Sequence, residues 1–113
     1  MPQFLVQFSY VSRSKKGLIE QPDVDHAAQA SKMVASLGGE VLGYWYAFGE
    51  FDGMVLIEAP DSTTVAAVAM AIGGTGEVSR LETTVLMTMD EARVAARKAQ
   101  TATHLPPGEE GDR

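Results

Sequence analysis

The chain reads as a single α+β domain whose elements follow in the order strand, helix, strand, strand, helix, strand, with one more helix at the end. Three observations predict this. The N-terminal segment alternates as a strand does, two later segments carry apolar residues at helical spacing and stop at paired glycines, and two apolar runs in the middle are joined by a short turn.

The first strand is Phe4-Leu5-Val6-Gln7-Phe8-Ser9-Tyr10. Phe4, Val6, Phe8 and Tyr10 fall on one face, and Leu5, Gln7 and Ser9 on the other. Ser12 to Gln21 is polar and contains Gly17, so it reads as a loop, pinned by Leu18 and Ile19. Pro22 and Asp23 suit the first turn of a helix, where proline loses no hydrogen bond and a carboxylate meets the positive end of the dipole. Val24, Ala27, Ala28, Ser31, Val34 and Leu37 form its inner face, and Gly38-Gly39 ends it.

Val41 to Phe48 is a second strand and the most aromatic stretch, with Tyr44, Trp45, Tyr46 and Phe48. Gly49 to Gly53 is a turn, and Met54 to Ala59 is a third strand that should pair with the second as a hairpin. Asp61 or Ser62 caps the next helix, whose face is Val65, Val68, Ala69 and Ile72 and whose end is Gly73-Gly74-Thr75-Gly76. A fourth strand covers Val78 to Met87, and a last helix runs from Met89-Asp90 to about Ala99. The domain thus spans residues 1–99, and residues 100–113, with Pro106, Pro107, Glu109 and Glu110, read as a disordered acidic tail.

This order is the ferredoxin-like βαββαβ pattern. Right-handed crossovers put both main helices on one face of a four-stranded antiparallel sheet with strand order 4-1-3-2. Uninterrupted alternation assigns Phe4, Val6, Phe8, Trp45, Ala47, Val55, Ile57, Leu81, Thr83 and Val85 to the helix side. It assigns Leu5, Gln7, Ser9, Leu42, Tyr44, Tyr46, Phe48, Met54, Leu56, Glu58, Arg80, Glu82, Thr84 and Leu86 to the open side. So much apolar area on an open face calls for a cover, which a second copy across a two-fold axis would supply. A homo-oligomer, a dimer or a multiple of dimers, is therefore expected.

Composition narrows the function classes. The 113 residues carry a formal net charge of −6, and 45% of them are hydrophobic, as in an ordinary folded domain. An acidic chain repels phosphate backbones, and the short basic run Arg13, Lys15, Lys16 reads as a solvated loop, so no nucleic-acid partner is expected. With no cysteine there is no disulfide, thiolate nucleophile or cysteine metal site. His26 and His104 are too far apart in sequence to argue for a metal, and no cofactor motif is present. No apolar run approaches the ~20 residues of a membrane span. A bacterial-type cytoplasmic protein without membrane contact is the expectation.

The segment Gly49-Glu50-Phe51-Asp52-Gly53, followed by an apolar strand and Glu58-Ala59-Pro60-Asp61, resembles the GYD-domain family, with Phe51 where that family has tyrosine. Leu37-Gly38-Gly39, the run Val78 to Thr83 and the early loop ending in Pro22 fit the same pattern, which covers about Phe4 to Ala95. The resemblance implies a ferredoxin-like fold of the dimeric α/β-barrel kind and no particular reaction. Phe51 lacks the phenolic hydroxyl of the family position.

Candidate site residues each have two readings. Asp52, with Glu50, is either a base or cation ligand or a turn carboxylate that accepts backbone N–H groups. Tyr44 and Tyr46 either line a pocket or cover an interface. Arg80, with Glu82 and Glu58, either grips a ligand carboxylate or closes a salt bridge between strands. His26 is a candidate acid or base near the barrel mouth. No catalytic residue is identified. The sequence points to a small-molecule-binding or accessory domain that uses the open sheet face. The alternative is a cofactor-free enzyme, an isomerase or monooxygenase of the dimeric α/β-barrel kind, which rests on fold analogy.

Overall fold

The computed structural model describes residues 1–103 of the chain. Its elements are β1 (Gln3–Tyr10), α1 (Ser12–Glu20), α2 (His26–Ser36), β2 (Glu40–Tyr46), β3 (Gly53–Glu58), α3 (Ser62–Gly73), β4 (Val78–Leu86) and α4 (Met89–Gln100). The four strands form one antiparallel sheet in the order β2-β3-β1-β4. This is the ferredoxin-like α+β arrangement expected from the element order. The tail expected to begin at residue 100 still has Gln100 in α4; its part from His104 onward lies outside the described residues.

β1 is a central strand, and its alternation organises the core. Phe4, Val6 and Phe8 are buried against Val55 and Ile57 of β3, Val34 of α2, and Val65 and Val68 of α3. Because one cluster holds residues of both helices, α2 and α3 lie on the same face of the sheet. Each such side chain, fully buried, contributes about 1.5–3 kcal/mol.

The helix ends follow local chemistry. Asp61 caps α3 by accepting the Thr64 N–H at 2.8 Å. At the other end of α2, Gly38 takes φ of 92°, which costs glycine little. The Gly39 N–H then reaches the Val34 carbonyl at 3.0 Å and the Gly38 N–H the Ala35 carbonyl at 3.1 Å, a Schellman closure. α2 starts later than Pro22-Asp23 suggests: those residues form a turn, and Asp25 is the cap, accepting the Ala28 N–H at 2.9 Å.

Residues 12–20, expected as a loop, are helical. The sequence hides α1 because none of its residues is buried and Val11 offers no capping side chain. Contacts at its start hold it instead. The Val11 N–H donates to the Glu77 carbonyl at 3.0 Å, the Ser14 hydroxyl donates to the same oxygen at 2.8 Å, and Arg13 reaches the Gly76 carbonyl at 3.2 Å.

The other correction lies in β2. Val41 pairs with Ile57 but Gly43 pairs with Leu56, so Leu42 is an extra residue, a β-bulge. After it every side chain changes face. Tyr44 stands opposite Val55, on the helix side, and Trp45 opposite Met54, on the open side. Tyr46 follows Tyr44 to the helix side, opposite Gly53. Uninterrupted alternation predicts the reverse for all three. Phe48 and Ala47 lie beyond the strand, and Phe48 is fully exposed.

α4 stands apart from this core. A capping box at Thr88 and Glu91 starts it, yet none of its residues is buried. Replacing core Ile57 by alanine is expected to lower the unfolding free energy by about 2–5 kcal/mol. The same change at Val94 of α4 should stay within about 0.5 kcal/mol in the monomer. Urea denaturation of both variants at low protein concentration checks the contrast.

Candidate functional site

The sequence candidates separate onto two sides of the sheet. On the open side, β1 and β4 pair with Gln7 opposite Glu82 and Ser9 opposite Arg80. Arg80 therefore sits two residues from Glu82 along β4, with their charges 3.5 Å apart. It also donates to Glu50 from the β2–β3 connection at 2.8 Å. Its guanidinium lies 4.8 Å from the centre of the Phe51 ring, a cation–π contact. Phe51 itself is 9% exposed, so its ring forms a buried seat for the arginine.

Glu58 does not join this cluster. It pairs with Gln3, at the other end of β1 from Ser9, and its carboxylate meets the N-terminal ammonium at 3.3 Å. Six residue steps along β1 separate the two ends, about 20 Å. A contact between Arg80 and Glu58, one of the pairings suggested by their shared face, is therefore absent, whereas that with Glu82 is formed.

Around the cluster the open face is apolar. Trp45 is 51% exposed, and it lies flat because Gly43, two residues away on the same face, has no Cβ to hold the indole off the strand. Met54, Leu56, Leu5 and Leu86 extend the surface across the sheet and are only partly covered. A concavity of about 500 Å³ opens between Arg80, Glu82, Glu50, Gln7 and Met54.

Asp52 belongs to the scaffold between the two sides. Its carboxylate accepts the Tyr10 backbone N–H at 2.8 Å and lies 3.6 Å from the Lys15 ammonium of α1. It ties the β2–β3 connection to the end of β1.

On the helix side, the bulge in β2 brings Tyr44 beside Tyr10. Their hydroxyl oxygens are 3.2 Å apart. The two rings pack with Phe8, which makes an edge contact with Tyr10 at 5.2 Å between centroids, and Tyr46 stands edge-on to Tyr44 at 5.5 Å. Phe8, Tyr10 and Tyr44 floor a cleft of about 200 Å³ between α2 and α3, walled by Ala30, Met33 and Ile72, with His26, Gln29 and Glu77 at its rim. Tyr46 lines an adjoining apolar groove of about 520 Å³ under α1, with Ile19, Pro22 and Phe48.

Burial raises the pKa of both Tyr10 and Tyr44 above the ordinary phenol value. For Tyr44 the hydrogen bond with Tyr10 adds to the rise. For Tyr10 that bond opposes it, and the charges of Glu77 and Asp52 reinforce it. Both phenols keep their protons near neutral pH and act as hydrogen-bond donors, not bases.

Sequence reasoning misses Tyr10, Met33 and Glu77, which the structure adds to the cleft. The alternation Phe4-Val6-Phe8-Tyr10 does carry the signal for Tyr10, since it places that side chain on the helix side. Nothing local signals Met33 or Glu77, which reach the cleft through tertiary packing. Among the described residues, no three His, Asp or Glu side chains are grouped so as to hold a metal ion. No helix there is long and apolar enough to cross a membrane.

An antiparallel ferredoxin-like sheet with helices on one face and an apolar, uncovered opposite face defines the class. The model of the GYD domain matches residues 4–96. The chain belongs to the GYD-domain family. Among solved structures, the crystal structure of FFRP-DM1 is similar in fold, with a TM-score of 0.52 at 14% identity over 77% of this chain and 100% of that one. No curated protein sequence matches the chain.

The raised phenols make alkaline stability informative. In the unfolded chain Tyr10 and Tyr44 ionise near the model value of about 10, and in the folded chain later. Above that pH the unfolded state holds fewer protons than the folded one, so stability falls as pH rises. The contribution is fully present below the unfolded pKa. Tyr44→Phe is expected to flatten this decline, as read from urea midpoints between about pH 9 and pH 11.

Proposed function

We propose that this GYD-family domain is a small-molecule-binding, self-associating accessory protein, with its ligand in the helix-side cleft and its open sheet face against a second copy. The observation that carries the ligand reading is the Tyr10–Tyr44 hydroxyl pair, 3.2 Å apart at the floor of a mostly apolar cleft. Sites for small molecules have this composition: apolar walls for affinity and few polar groups for orientation. The phenols remain protonated, which favours holding a ligand over abstracting a proton from one. This argues for binding over the cofactor-free isomerase or monooxygenase.

Self-association draws support from the other side of the sheet. A half-exposed Trp45 beside Leu42, Met54 and Leu56 is costly to leave in water. α4 adds to the argument. A 12-residue helix with no buried side chain is marginal alone in water, and Met89 and Val94 are more than half exposed along it, as is Met87 just before it. A second copy would cover both. The Arg80–Glu50–Glu82 cluster then lies within the contact, where its charges set the register of the two sheets rather than the affinity.

Light scattering over a range of concentrations should give the mass of a dimer or a multiple of it, and Trp45→Glu should shift the protein toward monomer. A wild-type monomer at every concentration overturns this part. The chain has one tryptophan, so burial of Trp45 on association should also move its fluorescence to shorter wavelength. For the cleft, small neutral fragments are expected to raise the melting temperature of the wild type but not of Ala71→Phe, since Ala71 also lines the cleft and a ring there would fill the space. Equal response of both proteins overturns the cleft as the ligand site.

A further inference from the structure

The cleft carries more than the fact of binding. We infer that it selects neutral single-ring molecules bearing one hydrogen-bond acceptor, such as a ring carbonyl compound, and rejects carboxylates of the same size. This rests on the reading of the cleft as the ligand site and adds the chemistry of what fits.

Size comes first. An apolar cavity of about 150 Å³ holds benzene, and this one is about 200 Å³. One ring with a small substituent fits within it. The walls match a ring: the faces and edges of Phe8, Tyr10 and Tyr44 on the sheet side, and the flexible side chain of Met33 with Ala30 and Ile72 on the helix side.

Donor accounting decides the substituent. Tyr10 and Tyr44 bring two hydroxyl protons, and one lies between their oxygens. One phenolic proton is left to meet an acceptor on the ligand. Thr75, the other hydroxyl at the cleft, is engaged already: it donates to the Ile72 carbonyl at 2.7 Å and accepts the Glu77 N–H at 3.2 Å. A ligand without an acceptor leaves that phenolic proton unmatched once water is displaced, and a buried polar group without a partner costs about 1–3 kcal/mol.

Charge decides against anions. The acidic group at the cleft rim is Glu77, and Asp52 stands behind Tyr10 holding its backbone N–H. Lys15, the cation nearest to Asp52, is paired with it at 3.6 Å. Arg13, at the neighbouring opening beneath α1, is directed to the Gly76 carbonyl. A carboxylate entering the cleft thus approaches the Glu77 carboxylate, with the His26 imidazole and the Gln29 amide as the other polar side chains of the rim, and it loses its hydration.

The test uses three probes of similar size on the full chain: acetophenone, ethylbenzene and benzoate. Binding is measured by calorimetry and by chemical-shift changes, on the wild type, Tyr10→Phe/Tyr44→Phe, Glu77→Gln and the cleft-filled Ala71→Phe. Acetophenone should bind the wild type about tenfold more tightly than ethylbenzene or benzoate, the ratio expected for one hydrogen bond satisfied rather than lost. The double tyrosine variant removes both hydroxyls together, so neither is orphaned, and should bind acetophenone and ethylbenzene alike. Glu77→Gln should strengthen benzoate binding alone.

Equal affinity for acetophenone and benzoate, or an undiminished preference for acetophenone in the double variant, overturns the inference while leaving a ligand site in place. Failure of all three probes to bind, or binding that survives in Ala71→Phe, overturns both the inference and the cleft reading beneath it. Unchanged melting temperatures of the variants to within a few degrees establish that binding changes are local.

Discussion

The extra residue at Leu42 is the constraint on which the two faces of this protein depend. In a strand the side-chain period is two, so one inserted residue transfers everything after it to the other side. Here the transfer sends Tyr44 and Tyr46 under the helices and Trp45 out to the open face. Without it Tyr44 could not meet Tyr10, the cleft between α2 and α3 would lose part of its floor, and the open face would gain two phenols. The aromatic cleft on one side and the exposed apolar face on the other are thus divided by a single local irregularity.

The bulge works because the rest of the sheet is anchored. β1 runs through the middle with partners on both edges, and its buried residues Phe4, Val6 and Phe8 are gripped by α2 and α3. That fixes the register of β3 independently of β2. The edge strand β2 can then absorb a residue without disturbing the core, since its outer side has no further strand to satisfy. β4, the other edge, carries an irregularity of its own where Ser79 falls between the pairs Ser9–Arg80 and Tyr10–Val78. Both interruptions sit on edge strands, where a broken ladder costs least.

The sheet also divides polar work unevenly. No polar or charged residue among those described is buried, so the core makes no demand for paired charges. Ionic contacts such as Arg80 with Glu50 lie at the surface, where each contributes about 0–1 kcal/mol. They specify geometry more than they stabilise. Phe51 shows this at the position where the family has tyrosine: its ring supports the Arg80 guanidinium by its face, which needs no hydroxyl.

The sequence by itself determined the strands, the helices α2, α3 and α4, the sheet order and the core of β1, β3 and α3. These follow from patterns repeated over many residues: alternation, helical spacing, glycine stops and a short hairpin turn. It also placed Arg80 beside Glu82, because neighbours two apart on a strand share a face. Only the tertiary structure decided that residues 12–20 are helical, since α1 buries none of its residues and has no capping side chain at its start. Only it decided which face Tyr44, Trp45 and Tyr46 take, since a bulge is a relation between two strands, and Gly43 within β2 is no more than a local hint of one. The assembly of Tyr10, Tyr44, Met33 and Glu77 around one cleft belongs to the same category. Those residues lie up to 67 positions apart in the chain, from Tyr10 to Glu77, and packing alone brings them together.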